Sequence, residues 1–163
     1  MMRTRQRAFT LIEILVVIAI VGIATGITFA LAAPDPRDIA LRDARELARA
    51  IDHATRRAQW RRELLGVSAD GGRIRYWRRD PGGARWLEAD DGTLRAWTLP
   101  GVAIVRALDY AGRPVAGDSV IPLRASGRNE PFAFAVDAGG WRTRVTSDPL
   151  NRVSIADPVR VSP

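Results

Sequence analysis

The 163-residue sequence contains no cysteine and no lysine, and it has a single histidine, His53. Without cysteine there is no disulfide, no thiolate zinc site and no cysteine nucleophile. Without lysine the chain can form neither a Schiff base nor a Ser/Lys dyad. A lone histidine on a regular helix is more often solvated than catalytic. We therefore expect a protein that is not an enzyme and that needs no metal or cofactor.

All the basic side chains are arginine, and the formal net charge is +7, which raises the question of a nucleic-acid or membrane partner. Arg3, Arg5 and Arg7 precede the first apolar run, and removing them would lower the charge to about +4. Arginine occurs beside aromatic residues, as in Trp60-Arg61-Arg62, Tyr76-Trp77-Arg78-Arg79 and Trp141-Arg142. Such alternation is more often a sheet with an apolar inner and a charged outer face than a stacking surface. Nucleic acid is therefore not the favoured partner.

A long apolar run follows the three arginines. Residues 14–33 carry no charge, and as a helix they would extend about 30 Å, one hydrocarbon thickness. The positive-inside rule then places the N-terminus in the cytoplasm and the rest of the chain after Ala33 in the periplasm of a Gram-negative cell. A carboxylate, Glu13, lies at the start of this run, where it would cost about 2.5–3.5 kcal/mol in hydrocarbon. A helix that served only as a membrane anchor would not explain the presence of Glu13.

The stretch RAFTLIEILVVIAIVGI, residues 7–23, resembles the N-terminus of type IV prepilins and type II secretion pseudopilins. The resemblance implies that a prepilin peptidase cleaves between Ala8 and Phe9 and methylates the new amine of Phe9. It also implies that Glu13 pairs with the N-terminal ammonium of a neighbouring subunit in a helical assembly. The family has glycine at the position of Ala8, so we expect slower cleavage here.

The same resemblance assigns the apolar helix to the bilayer before assembly and to a bundle of similar helices after it. Exposing this helix to water would cost on the order of 10 kcal/mol, so it should pass directly from one environment to the other. The side chains expected to make these contacts are Ile14, Leu15, Val16, Val17, Ile18, Ile20, Val21 and Ile23.

A second helix is predicted after the apolar run. Asp35, Pro36 and Asp38 have the residue types of an N-cap and a first helical turn. From there to about Arg62, small and aliphatic residues recur at helical spacing and should face a sheet. This stripe comprises Leu41, Ala44, Leu47, Ala48, Ile51, Ala54, Thr55 and Ala58. Two i,i+4 ion pairs are predicted on the other side of the helix, Asp38/Arg42 and Asp52/Arg56.

Short segments separated by turn residues follow and predict strands. The expected strands are 64–69, 73–78, 85–88, 93–99, 102–109, 120–124, 131–136, 141–146 and 151–155. A helix followed by antiparallel strands predicts an α+β fold. We expect a long N-terminal transmembrane and stalk helix, packed on an antiparallel, β-rich head of two sheets, as in pilins.

Four segments follow from these expectations: a leader at 1–8, a membrane and assembly helix at 9–33, an amphipathic stalk helix at 34–62 and a periplasmic head at 63–163. Residues 120–155, VIPLRASGRNEPFAFAVDAGGWRTRVTSDPLNRVSI, are similar in strand and turn pattern to the C-terminal part of GspH-type minor pseudopilins. This resemblance implies a subunit at or near the tip of a type II secretion pseudopilus. Its partners would be the GspI-, GspJ- and GspK-type minor pseudopilins, the GspG-type major pseudopilin, the prepilin peptidase and the inner membrane.

Two alternatives stay open at the level of the sequence. One is a minor pilin of a type IV pilus, FimT-like, that contacts DNA during uptake. The other is a secreted β-rich binding module, because Ala30-Leu31-Ala32 has the A-x-A pattern of an ordinary signal-peptide cleavage site. The apolar run is longer than the usual signal-peptide core of about 7–15 residues, which favours the pilin-type reading.

Overall fold

A computed structural model describes residues 11–31, 34–80, 82–101, 103–126 and 128–161, with the backbone alone at 28–31. The chain divides into two compact units, residues 1–34 and residues 35–163. The first contains helix α1 (Leu11–Leu31), and the second begins with helix α2 (Pro36–Arg61). Within the described residues, neither helix combines the length and the apolar character that crossing a membrane requires.

Helix α2 begins as its sequence predicts. The Asp35 side chain accepts a hydrogen bond from the Arg37 backbone N–H at 2.8 Å, and Pro36 occupies the first turn, where its missing N–H has no partner to lose. The helix ends at Arg61, and the C-cap residue, Arg62, is in the left-handed region and donates its N–H to the Ala58 carbonyl. The predicted pair between Asp52 and Arg56 forms, at 3.0 Å.

The strands form two antiparallel sheets. Sheet A contains β1 (Leu65–Asp70), β2 (Arg73–Arg79), β3 (Trp86–Glu88), β4 (Trp97–Thr98) and β7 (Ile121–Leu123). Sheet B contains β5 (Ile104–Tyr110), β6 (Arg113–Pro114), β8 (Phe132–Ala138), β9 (Trp141–Ser147), β10 (Val153–Ile155) and β11 (Val159–Arg160). Sheet A has the order β3-β2-β1-β7 with β4 also on β2, and sheet B the order β10-β9-β8-β5-β6 with β11 also on β9.

Helix α2 packs on strands of both sheets, so that one core serves the whole second unit. The buried side of the helix contains most of the predicted stripe, including Leu47 and Ile51, both fully buried. It meets the large apolar side chains of β8, where the Phe132 and Phe134 rings contact edge to face with centroids 6.0 Å apart. The predicted α+β fold with a helix on a two-sheet head is therefore confirmed.

Some sequence-based boundaries are wrong. The strand predicted at 93–99 is reduced to β4, because the Asp91 carboxylate and carbonyl accept hydrogen bonds from the backbone N–H groups of Leu94 and Thr93 and fold residues 91–94 into a turn. The last predicted strand begins only at Val153, since Asp148 Oδ1 binds the N–H groups of Leu150 and Arg152. The two-residue strands β6 and β11 were not predicted.

The turn that joins β8 to β9 is a two-residue hairpin loop, Gly139-Gly140, with φ angles of +52° and +81°. Positive φ at both central positions defines a type I′ turn, which matches the twist of the strands. A Cβ atom at Gly139 would lie 2.5 Å from Cβ of Pro36, whereas one at Gly140 would meet no atom within 4 Å. Of the two loop glycines, only Gly139 lies against the start of α2.

We expect Gly140→Ala to destabilise the fold by about 1–2 kcal/mol through backbone strain. Gly139→Ala should cost about 1–3 kcal/mol more, because its methyl group also overlaps Pro36. Thermal unfolding of the full chain in detergent, followed by near-ultraviolet circular dichroism, measures both. Equal losses for the two variants would contradict a close contact between the hairpin and the helix start.

Candidate functional site

The apolar side chains predicted to make assembly contacts all lie exposed on α1. Their exposed fractions range from 48% at Ile14 to 67% at Ile18. Glu13 is also exposed and lies in the first turn of this helix. A helix that is apolar on all sides is typical of a segment covered by lipid or by other helices. The predicted cleavage site, Ala8 and Phe9, lies outside the described residues.

A buried carboxylate in α2 was not predicted from the sequence. Asp43 is fully buried, and its Oδ1 accepts a hydrogen bond from Nε of Arg42 at 3.1 Å, so Arg42 binds here rather than to Asp38 as predicted. Its Oδ2 has no hydrogen-bond partner among the described residues. A Cβ atom on Gly101 would come within 2.6 Å of this oxygen, so the loop after β4 closes directly over the carboxylate.

A four-residue polar network joins the last turns of α2 to the turn after β3. The Arg57 side chain is only 11% exposed, and its Nε donates to Glu63 Oε1 at 3.2 Å. Its two terminal nitrogens donate to the Thr93 hydroxyl and to Asp91 Oδ2. Burial alone would lower the pKa of Arg57, but the hydrogen bonds to Glu63 and Asp91 outweigh it and raise the pKa. The guanidinium therefore stays charged and holds the turn against the helix.

The pKa of Asp91, the carboxylate that pairs with Arg57, shifts in the opposite direction. Burial would raise the pKa of Asp91, but the hydrogen bond from Arg57 and the backbone N–H of Leu94 lower it below its usual range. A carboxyl group with a lower pKa in the folded state binds protons more readily when the chain unfolds. Its stabilising contribution is therefore complete above the unfolded pKa of about 4 and is lost as the pH falls through the folded value.

We predict that Asp91→Asn destabilises the fold at neutral pH and that its deficit relative to the wild type shrinks in acid, below about pH 4. Urea unfolding at several pH values measures the difference. Asp90→Asn is the matched control, because the neighbouring Asp90 pairs with the exposed Arg95, at 3.5 Å. A deficit for Asp91→Asn that stays constant from neutral pH to acid would contradict the assignment.

The outer face of sheet A carries arginines and a tryptophan together. In β2 the inward side chains are Ile74 and Tyr76, so Trp77 lies on the same face as Arg75 and Arg79. The prediction of an apolar inner and a charged outer face is therefore wrong for Trp77. Its indole N–H donates to Ser68 Oγ at 2.8 Å across the strand pair, which satisfies its polar end there.

On sheet B a carboxylate bridges two arginines across three strands. Asp137 in β8 accepts from Arg106 in β5 and from Arg142 in β9, both at 2.6 Å. The hydrogen bond to Asp137 raises the pKa of Arg142. Two arginines share one carboxylate, so these three side chains carry a net positive charge.

The other side chains that could bind a metal ion or act in catalysis do not come together. His53 is exposed on α2. Glu88, Asp90 and Asp91, adjacent in sequence, do not converge on a common point, since Asp90 and Asp91 each pair with a different arginine. No group of three or more metal-ligating side chains is found in the described part of the chain.

Comparisons with known proteins give one match to the N-terminal sequence and others to the fold. Residues 3–29 match the prokaryotic N-terminal methylation motif. No curated protein sequence matches at a significant level. Two structures of the minor pseudopilin EpsH from the type II secretion system of Vibrio cholerae match the fold. One is 17% identical, with 72% of this chain and 96% of that chain covered and a TM-score of 0.54. The other is 16% identical, with 77% and 99% covered and a TM-score of 0.58.

The motif match confirms the resemblance of residues 7–23 to prepilin-type N-termini, and the structural matches confirm the fold that the predicted resemblance implied. At these identities the structural likeness establishes the fold, and the motif establishes the kind of N-terminus. The chain therefore carries a prepilin-type methylation motif in front of a domain with the minor-pseudopilin fold.

Proposed function

We propose that this protein is a GspH-type minor pseudopilin of a type II secretion system and acts as a structural subunit rather than an enzyme. The observation that carries the proposal is the presence, in one chain, of the methylation motif at residues 3–29 and the EpsH-like fold. Either feature alone occurs in a wider class of proteins. A pseudopilus subunit requires both, the motif for processing and the head for lateral contacts.

Membrane insertion before assembly is part of the proposal and rests on the sequence. The uncharged residues 14–33 extend beyond the described helix, and the arginines before them favour a cytoplasmic N-terminus. The head, residues 63–163, would then lie in the periplasm. Apolar contacts along α1 would pass from lipid to neighbouring helices, while Glu13 would pair with the methylated ammonium of the adjacent subunit.

The most specific part of the proposal is that the subunit lies at or near the tip of the pseudopilus. Its neighbours there would be the GspI-, GspJ- and GspK-type minor pseudopilins, with GspG-type subunits below. The head would nucleate or cap the filament by lateral contacts and so support export of folded proteins across the outer membrane. No bond is made or broken in this role, so the head needs contact surfaces and no catalytic group.

The mass of the mature chain tests this function. Protein purified from membranes of the producing cell should begin at a methylated Phe9, as intact mass and N-terminal sequencing would report. A mature chain that begins near Ala33 would indicate an ordinary signal peptide. It would remove Glu13 and the whole of α1, and with them the assembly role.

A second candidate function, a FimT-like pilin that contacts DNA, has one observation in its favour. Trp141 lies on the face of sheet B that packs on α2, and the guanidinium carbons of Arg37 and Arg160 are 5.9 and 6.0 Å from its ring centroid. Binding of the full chain to DNA at physiological ionic strength, weakening steeply with added salt, would favour it. Absence of binding would leave the secretion role.

A further inference from the structure

Trp60 differs from the four other tryptophans of the chain. The indole N–H groups of Trp77 and Trp97 donate to Ser68 Oγ and to Tyr76 Oη, at 2.8 and 3.4 Å. The rings of Trp86 and Trp141 are covered by arginine guanidinium groups. Trp60 is 90% exposed and, within the described residues, has neither an indole hydrogen bond nor an arginine over its ring.

The fold gives no reason for this exposure. Trp60 lies in the last turn of α2, on the side opposite to the stripe that packs on the sheets. Single exposed apolar residues are common, but a fully exposed tryptophan beside arginines combines the two residue types most enriched at the centre of protein interfaces. A cluster of this composition indicates a contact surface.

A shallow hollow of about 300 Å³ lies beside the Trp60 ring. Its lining consists of His53, Arg56, Arg57, Trp60, Arg61 and Thr93. Among the described residues, no carboxylate lines it. The nearby carboxylates are all paired, Asp52 with Arg56, and Asp91 and Glu63 with Arg57. Arg61 forms no ion pair within the described residues, so the hollow offers one uncompensated cation next to an uncovered aromatic ring.

The hollow is also held in place. Arg57, bound to Glu63, Asp91 and Thr93, fixes the turn that forms one wall, and α2 forms the other. Because Arg57 is already held in place, little conformational entropy would be lost at this wall when a ligand binds.

We propose that this hollow, the Trp60 site, binds an acidic segment of a partner protein that inserts one aromatic or aliphatic side chain against the Trp60 ring. Carboxylates of the segment would pair with Arg56 and Arg61, while the apolar side chain would cover the indole. Charge complementarity selects an anionic partner, and the apolar ring selects a peptide over a small inorganic anion. The site lies entirely in the second unit, so it does not depend on the proposed secretion role.

Indole signals of the full chain in detergent, labelled with ¹⁵N at tryptophan, test the site. The probe is a short synthetic peptide of glutamate and aspartate with one central phenylalanine, at about 150 mM salt. We expect a saturable shift of the Trp60 signal, identified by its loss in Trp60→Phe, with a Kd below about 1 mM. A matched lysine peptide should bind at least about tenfold more weakly.

Two arginine variants separate the site from general surface charge. Arg56→Ala should weaken binding several-fold, whereas Arg49→Ala should leave it unchanged. Arg49 is 72% exposed and pairs with Glu46, much as the 77% exposed Arg56 pairs with Asp52, but it does not line the hollow. Equal effects of the two variants would overturn the proposal.

Three other results would also overturn it: no saturable shift of the Trp60 signal, equal binding of an acidic peptide without phenylalanine, and tighter binding of a single-stranded oligodeoxynucleotide at Trp60. The last result would assign the hollow to base stacking. None of these results bears on where the mature chain begins, so the site and the proposed function fail separately.

Discussion

Phe134→Ala is expected to lower the free energy of unfolding by about 3–5 kcal/mol, the usual cost of removing a buried aromatic side chain. Phe134 has no exposed surface and lies in β8, the strand that pairs with both β5 and β9 at the centre of sheet B. Its ring contacts Phe132 edge to face. Its cross-strand neighbours, Ala107 and Val145, are too small to fill the space left by the ring.

Such a loss is large beside the roughly 5–15 kcal/mol that stabilise a typical domain. Phe134→Leu is the control, since it keeps most of the buried volume and should cost less than about 1.5 kcal/mol. Urea unfolding of the full chain in detergent, monitored by tryptophan fluorescence, measures both. Similar small losses for the two variants would mean that the core around β8 collapses easily and that Phe134 is not central to it.

The regular parts of the fold follow from periodicity in the sequence. The helical stripe containing Leu47 and Ile51 predicts the buried side of α2, because a spacing of three and four residues places side chains on one face. The hairpin at Gly139-Gly140 is equally predictable, since two consecutive residues with positive φ call for glycine. In both cases a local rule decides the structure.

Features that depend on contacts distant in sequence were not predictable. Asp43 lies one position before the apolar stripe residue Ala44, and Gly101, which closes over its Oδ2, is distant in the sequence. Trp77 is an aromatic residue in a strand, and periodicity alone does not show that the inner face is already occupied by Ile74 and Tyr76. The Arg57 network likewise joins residues more than thirty positions apart.

Of the two candidate sites, one could be predicted from the sequence and the other could not. The motif around Glu13 is visible in sequence because its chemistry is local, a cleavage position followed by one carboxylate in an apolar run. The Trp60 site is not visible, because Thr93 and the turn that holds it reach α2 only in the folded chain. Arginine beside tryptophan occurs in several segments of this sequence, and only exposure distinguishes Trp60 from the others.

Glu13→Ala is expected to leave cleavage and methylation intact but to reduce incorporation into filaments by about tenfold or more. In the bilayer the wild-type carboxylate costs about 2.5–3.5 kcal/mol, and the variant avoids this cost. In the filament the variant leaves a neighbour's ammonium without its partner, and breaking a buried pair in this way costs about 3–5 kcal/mol. Both effects shift the equilibrium in the same direction, from filament to membrane.

Intact mass of the membrane-purified chain reports cleavage, and the yield of chain that co-purifies with sheared filaments reports incorporation. Thr25→Ala is the matched control, because Thr25 is a polar residue of the same helix whose hydroxyl donates to the Val21 carbonyl, at 2.7 Å. It should incorporate like the wild type. Wild-type yield for Glu13→Ala would refute the ion pair, and an uncleaved variant would show that Glu13 acts in processing instead. A selective loss of incorporation, with cleavage retained, follows only if the carboxylate acts after the leader is removed.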